Sequence, residues 1–172
     1  MRYLLALVLS SAGLLVAAPA AAACTSGPFT VDWPAQRMDE RLQALAHTTG
    51  CFVRFDPARF GALPAPRLRG RLATQALLVH SVRGTGLEAN RTRNAWHVDR
   101  AQQDRFGQRI ASLSRTIDAR HLPPHRAAML HRDLRRVRQA IADEVRTQGF
   151  LSAAERAGHT RALDSAAARI AR

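Results

Sequence analysis

The sequence predicts an α+β fold: a small two-sheet βαβ-type domain followed by an all-α helical hairpin or three-helix bundle. Three observations carry this. Short β-prone runs, with most of the prolines and glycines, occupy the chain before Arg100. Two stretches of helical apolar spacing separate those runs. Beyond Arg100 the chain is rich in Ala, Arg and Leu, and its apolar residues step by three and four throughout. The predicted organisation is a leader at 1–23, an α+β domain at 28–100 and a helical domain at 101–172.

The leader comes first in the chain. Arg2 precedes an apolar run from Leu4 to Ala18, and Pro19 ends it before the small residues Ala20 to Ala23. A basic start, a short apolar core and an A-x-A-like end describe a secretory signal peptide. A spanning helix needs about 20 apolar residues, and this run is shorter. The expectation is therefore export, to the periplasm or the outer membrane. Cys24, just past the expected cleavage site, has two open fates. A cysteine there can be acylated, but Ala21 stands where the bulky aliphatic residue of an acylation site belongs. Alternatively Cys24 pairs with Cys51, the other of the two cysteines. An oxidising compartment preserves such bonds, and closing a loop of that length stabilises by roughly 3 to 4 kcal/mol in the chain-entropy model. The disulfide is the preferred expectation.

Phe29-Thr30-Val31-Asp32-Trp33 alternates as a half-buried strand does, and Pro34 stops it. Met38, Leu42, Leu45 and Ala46 fall on one helical face, with Gly50 where a C-terminal cap is expected. Cys51 to Phe55 is a second strand ended by Asp56-Pro57, and Leu63 to Pro66 is a proline-rich connector. Arg67 to Leu72 is a short third strand. Thr74 opens a second helix with Leu77, Leu78 and Val82 inward, and Gly84-Thr85-Gly86 breaks it. Leu87 to Thr92 and Ala95 to Asp99 then alternate as a hairpin about Arg93-Asn94.

In the second half, Phe106, Ile110, Leu113 and Ile117 form a narrow apolar seam. His121-Leu122-Pro123-Pro124 is a turn, with Pro124 suited to a first helical turn. Leu130, Leu134, Val137, Ile141 and Val145 continue the spacing until Gly149. Ser152 and Glu155 make a capping-box pattern that opens a third helix through Leu163 and Ile170.

All 26 basic residues are arginine, against 13 acidic ones, for a formal charge of +13. A chain without lysine is a sign of codon bias more than of a ligand. Export, the even spread of charge and an aromatic content of 5% argue against nucleic acid. Anionic lipid or an acidic partner fits better. His121, His125 and His131 cluster about two prolines that break the helix between the first two, and no carboxylate or cysteine completes a metal set. Asp39-Glu40 and Asp143-Glu144 are neighbours in sequence and do not face each other on a helix. No residue is expected to be catalytic, to ligate a metal or to bind a cofactor, and the chain is not read as an enzyme.

From Phe29 to Val98 the chain resembles the short N-terminal domain of secretins and TonB-dependent receptors. The resemblance rests on an ordered series: Phe29-Thr30-Val31 with Pro34-Ala35-Gln36, Leu42, Leu45 and Ala46 before Gly50, Asp56-Pro57, Gly70, Gly84-Thr85-Gly86-Leu87, and Trp96-His97-Val98. Leu77 stands where the family often has Ala, and Ser81 where it usually has Leu, so the second helix is held only if Leu77 fills the space. The resemblance implies a periplasmic module that works by protein–protein contact in signal transduction or protein transport. Its implied partner is an anti-sigma regulator, a receptor or a secretion component. The expected docking edge is the hairpin Leu87 to Asp99, with Arg91, Arg93 and Arg100 gathered on it to meet an acidic strand. The alternative is a structural envelope lipoprotein anchored through Cys24, held at a membrane. The oligomeric state is not legible.

Overall fold

The computed structural model describes residues 24–92 and 95–172. The predicted signal peptide, residues 1–23, and the turn residues Arg93 and Asn94 lie outside the described residues. In chain order the elements are β1 (Phe29–Trp33), β2 (Gln36–Arg37), α1 (Met38–Thr49), β3 (Val53–Phe55), α2 (Pro57–Phe60), β4 (Pro64–Ala65), β5 (Leu68–Leu72), α3 (Thr74–Val82), β6 (Glu88–Arg91), β7 (Trp96–Asp99), α4 (Ala101–Ala119), α5 (Pro124–Gln148) and α6 (Ala153–Ala171). The fold is α+β, as the sequence predicts.

Three small sheets replace the expected two. β1 pairs antiparallel with β5, and β2 with β4. The third sheet has the order β3-β7-β6, with β3 parallel and β6 antiparallel to the central β7. The pair β2–β4 lies partly in the stretch read as a connector; at two residues each, neither strand offers a period to detect. Asp56-Pro57 is more than a turn. The Asp56 carboxylate accepts from the Arg59 N–H at 3.1 Å and caps α2, whose first position is Pro57.

Cys24 and Thr25, ahead of residue 28, are tied into the first domain. Thr25 donates its N–H and its hydroxyl to the Thr49 carbonyl, and the Thr74 hydroxyl donates to the Thr25 carbonyl at 2.6 Å. Cys24 is joined to Cys51 in a disulfide.

One apolar cluster fills the space between α1, α3 and the sheets, with Met38, Leu45, Leu77, Leu78, Val82 and Leu87 fully buried. Leu77 and Ser81 are both fully buried. The buried Ser81 hydroxyl donates to the Leu77 carbonyl at 2.8 Å, so its polarity is satisfied. Gly84 and Gly86 both take positive φ, which lets the chain leave α3 and enter β6.

The helices α4, α5 and α6 pack pairwise as a three-helix bundle around Ile110, Ile117, Leu130, Leu134, Leu163 and Ile170. Ser152 and Glu155 form the predicted capping box: the Ser152 hydroxyl accepts from the Glu155 N–H, and the Glu155 carboxylate accepts from the Ser152 N–H at 2.7 Å. Among the described residues no helix is long and apolar enough to cross a membrane.

Two joints connect bundle and sheets. At the first, the α5–α6 link reaches back: the Ala89 N–H of β6 donates to the Gly149 carbonyl at 2.8 Å, and Phe150 packs on the cluster of the first half. At the second, the N-terminus of α4 ends on β6. The Glu88 carboxylate accepts from the Gln103 N–H at 2.8 Å, while Asp99 takes the Ala101 N–H at 3.0 Å. These are unsatisfied donors of a helix start, and the charge of Glu88 suits the positive end of the helix dipole.

Gly149 is fixed by both conformation and space. Its φ is +79°, and a Cβ there would stand 2.9 Å from Val82 Cγ2 and 3.0 Å from the Val79 carbonyl oxygen. Gly149→Ala is expected to cost at least about 1–2 kcal/mol from the left-handed backbone alone. Gly158→Ala, inside α6 with open space at its Cβ, is expected to be neutral or to stabilise by up to about 1 kcal/mol. Urea denaturation of the two variants beside the wild type measures the difference.

Candidate functional site

The register of the third sheet decides which backbone is available. Thr92 N–H donates to the Ala95 carbonyl. In an antiparallel pair bonded residues alternate, so Glu88, Asn90 and Thr92 bond to β7 while Ala89 and Arg91 turn their backbone groups outward. Ala89 N–H is taken by Gly149. Among the described residues, no backbone group meets the N–H or C=O of Arg91. The expected docking hairpin is thus corrected. Its β7 arm is the central strand, and its β6 arm is open only from the Ala89 carbonyl onward.

A groove of about 580 Å³ runs along this open stretch, between β6, the head of α4 and Phe150–Ser152. Its floor is apolar, from Ala89, Trp96 and Leu151, all buried. Its rim is cationic. Arg91 comes from β6 and lies with its guanidinium carbon 5.6 Å from the Trp96 ring centroid. Arg105 comes from α4 and Arg156 from α6. Arg156 also donates to the Leu151 carbonyl, which holds it at the groove wall. Asp99 is the carboxylate of this lining.

A polar chain closes one side. The Gln102 side-chain amide donates to the Asn90 side-chain oxygen Oδ1 at 2.8 Å, the Asn90 side-chain amide donates to Glu88 at 3.2 Å, and the Gln103 side-chain amide donates to the Gly86 carbonyl at 2.9 Å. The Gln102 side-chain oxygen is buried and has no partner among the described residues.

Of the three arginines expected together, Arg91 and Arg100 are apart. Arg91 sits opposite Trp96 at one end of the hairpin, and Arg100 follows Asp99 at the other. Arg100 lines a separate cleft with Arg59 and Arg138. Arg93 lies outside the described residues. Arg105 and Arg156 stand on helices that only the tertiary fold carries to β6, so no local pattern in the sequence marks them. The other motif residues are architectural. Phe29 opens β1, and Pro34 gives its carbonyl to the buried Arg41 at 2.7 Å. Gly50 ends α1 at φ 68°, Gly70 faces Val31 across β1–β5, and Leu87 is fully buried.

Two histidines stand against carboxylates. His159 is buried, and its Nε2 lies 2.6 Å from Glu144, beside the edge of Phe106. His131 is half-buried between Ser114 at 3.3 Å and Asp118 at 3.0 Å. Ser, His and Asp in contact invite comparison with a nucleophilic triad. Here Ser114 lies inside α4, Asp118 in its last turn and His131 in α5, where backbone N–H groups are spent on the helices. The set works as a polar clamp between the helices. Among the described residues no group of three His, Cys, Asp or Glu is placed to hold a metal ion.

The chain matches no family model, no curated protein and no solved structure.

Burial pushes the Glu88 carboxyl above the usual carboxylate range, against the opposing hydrogen bonds from Gln103 and Asn90. A raised value in the folded state means that the fold holds the proton more tightly than the unfolded chain does. The stability contributed by this group is full below the ordinary carboxylate value and is lost as pH rises through the raised one. The wild type should therefore lose stability relative to Glu88→Gln as pH rises from about 4.5 to 7. Denaturant melts of both proteins across that range test this. A flat difference means that α4 does not bury Glu88.

Proposed function

We propose that this protein is an exported docking module that captures an extended acidic segment of a partner beside β6. The observation that carries the reading is the unpaired Arg91 backbone at the edge of β6, facing a groove rimmed by Arg91, Arg105 and Arg156. An added strand gains main-chain hydrogen bonds at such an edge, and pockets for alternate side chains set its preference. Guanidinium groups at the rim steer acidic chains in and pair with them. The resemblance to the secretin and TonB-receptor N-terminal domain supports the same reading, with a periplasmic regulator, receptor or secretion component as partner and the periplasm or outer membrane as the place of work. Acylation of Cys24 finds less support, since a sulfur engaged with Cys51 has no valence left for a thioether.

Two measurements test this. Protein recovered from the periplasm is expected to begin near Cys24 and to be two protons lighter than its reduced form; a diacylglycerol adduct overturns the disulfide. A photo-crosslinking residue at the exposed Thr92 should give an adduct with an envelope protein in living cells. The double reversal Arg91→Glu, Arg105→Glu is expected to abolish that adduct while leaving stability within about 1 kcal/mol, as surface changes do. An undiminished adduct in a folded double variant overturns β6 as the docking edge.

A further inference from the structure

The bundle and the first half enclose a second cleft, of about 630 Å³, within the size range of small-ligand sites. Three arginines reach it from three elements: Arg59 from α2, Arg100 from the β7–α4 junction and Arg138 from α5. Asp104 is the carboxylate in the lining, and it stands 3.6 Å from Arg59 with both groups largely exposed. Such a pair is loose and screened. Arg100 and Arg138 form no ion pair among the described residues, so the cleft carries a net excess of two guanidinium groups.

The bottom of the cleft is different in kind. Ile110 and Ile141 close it, and both are buried. Between them α4 carries Gly107, where a Cβ would meet nothing within 4 Å. A side chain at that position would occupy the cleft; glycine leaves the helix backbone bare and the space open. Glycine inside an exposed helix costs about 1 kcal/mol relative to alanine, and no close packing or positive φ at Gly107 calls for it.

We infer that this cleft binds a single-chain anionic amphiphile, with a carboxylate or phosphate head on Arg100 and Arg138 and an alkyl body over Gly107, Ile110 and Ile141. The planar guanidinium fork pairs with either oxyanion through two parallel hydrogen bonds. A cationic ligand is repelled by the unpaired arginines. A nucleotide base finds no aromatic side chain in the lining on which to stack. Because Arg59 and Arg100 belong to the first half and Arg138 to the bundle, the ligand would bridge the two. The cleft is separate from the β6 groove, and the inference stands whether or not that groove captures a partner.

The test uses the full mature chain with its disulfide intact and isothermal titration below the micelle concentration of each probe. Decanoate and decyl phosphate carry the two heads, inorganic phosphate the head alone, and decyltrimethylammonium the tail with the opposite charge. Decanoate or decyl phosphate is expected to bind with one-to-one stoichiometry and to raise the melting temperature. Inorganic phosphate and the cationic probe are expected to bind at least about tenfold more weakly, the loss of one good contact set. Arg100→Ala with Arg138→Ala removes the head contacts, and Gly107→Leu fills the space while keeping every arginine. Each variant, checked for wild-type helicity by circular dichroism, should weaken the better anion by about tenfold or more. Three results overturn the inference: neither anion binding at millimolar concentration, the cationic probe or bare phosphate binding as well as the anionic amphiphiles, or both folded variants binding like the wild type.

Discussion

The contact between Glu88 and the head of α4 is the constraint on which the arrangement of the two halves depends. A helix begins with backbone donors that have no partner inside it. Here two of them are met by carboxylates from the same sheet, Asp99 at the end of β7 and Glu88 opposite it on β6. Burying a carboxylate is costly unless its oxygens are bonded, and both Glu88 oxygens are. The bundle therefore leaves the sheet in one direction. That direction puts Arg105 beside β6 and Arg100 and Gln103 beside α5, so it sets the shape of both clefts at once.

The sheet edge shows how the joint narrows what the first half presents. Without the α5–α6 link, β6 would expose a full row of outward backbone groups. Gly149 takes the first of them, and Phe150 covers the neighbouring apolar surface. Only the stretch from the Ala89 carbonyl through Arg91 stays open, and it opens toward arginines. A shortened, charged edge is a common protection against indiscriminate strand pairing; what remains discriminates by charge.

The legible parts of the sequence were those fixed by local chemistry. Alternation over Phe29–Trp33 marks β1, a stripe ending at Gly50 marks α1, and the Ser152–Glu155 pattern marks α6. Each signal lies within one turn or one strand of the element that it marks. The α2 turn was there to be read in Asp56-Pro57, a capping residue followed by a proline, but four residues give no periodicity. The pair β2–β4 is invisible for the same reason. The sites were harder. Arg91 and Arg100 are close in sequence yet stand at opposite ends of a hairpin, because an antiparallel register separates what the numbering brings together. Arg105, Arg156, Arg59 and Arg138 are far apart in sequence and meet only through the packing of three helices on the sheets. The clamp of Ser114, Asp118 and His131 likewise needs α4 and α5 to be aligned before it exists.

The parallel pairing of β3 with β7 has a kinetic consequence. Val53 finds Trp96 only after the chain has closed a loop containing α2, β5, α3 and β6, and such distant pairing carries loop entropy that must be met before any contact returns it. The bundle is built from neighbours joined by short links and escapes that delay. Its helices are expected to reach near-native order while the sheet is still searching. Glu88 then meets a helix head that is already formed, and the final step of assembly is the sheet closing onto the bundle.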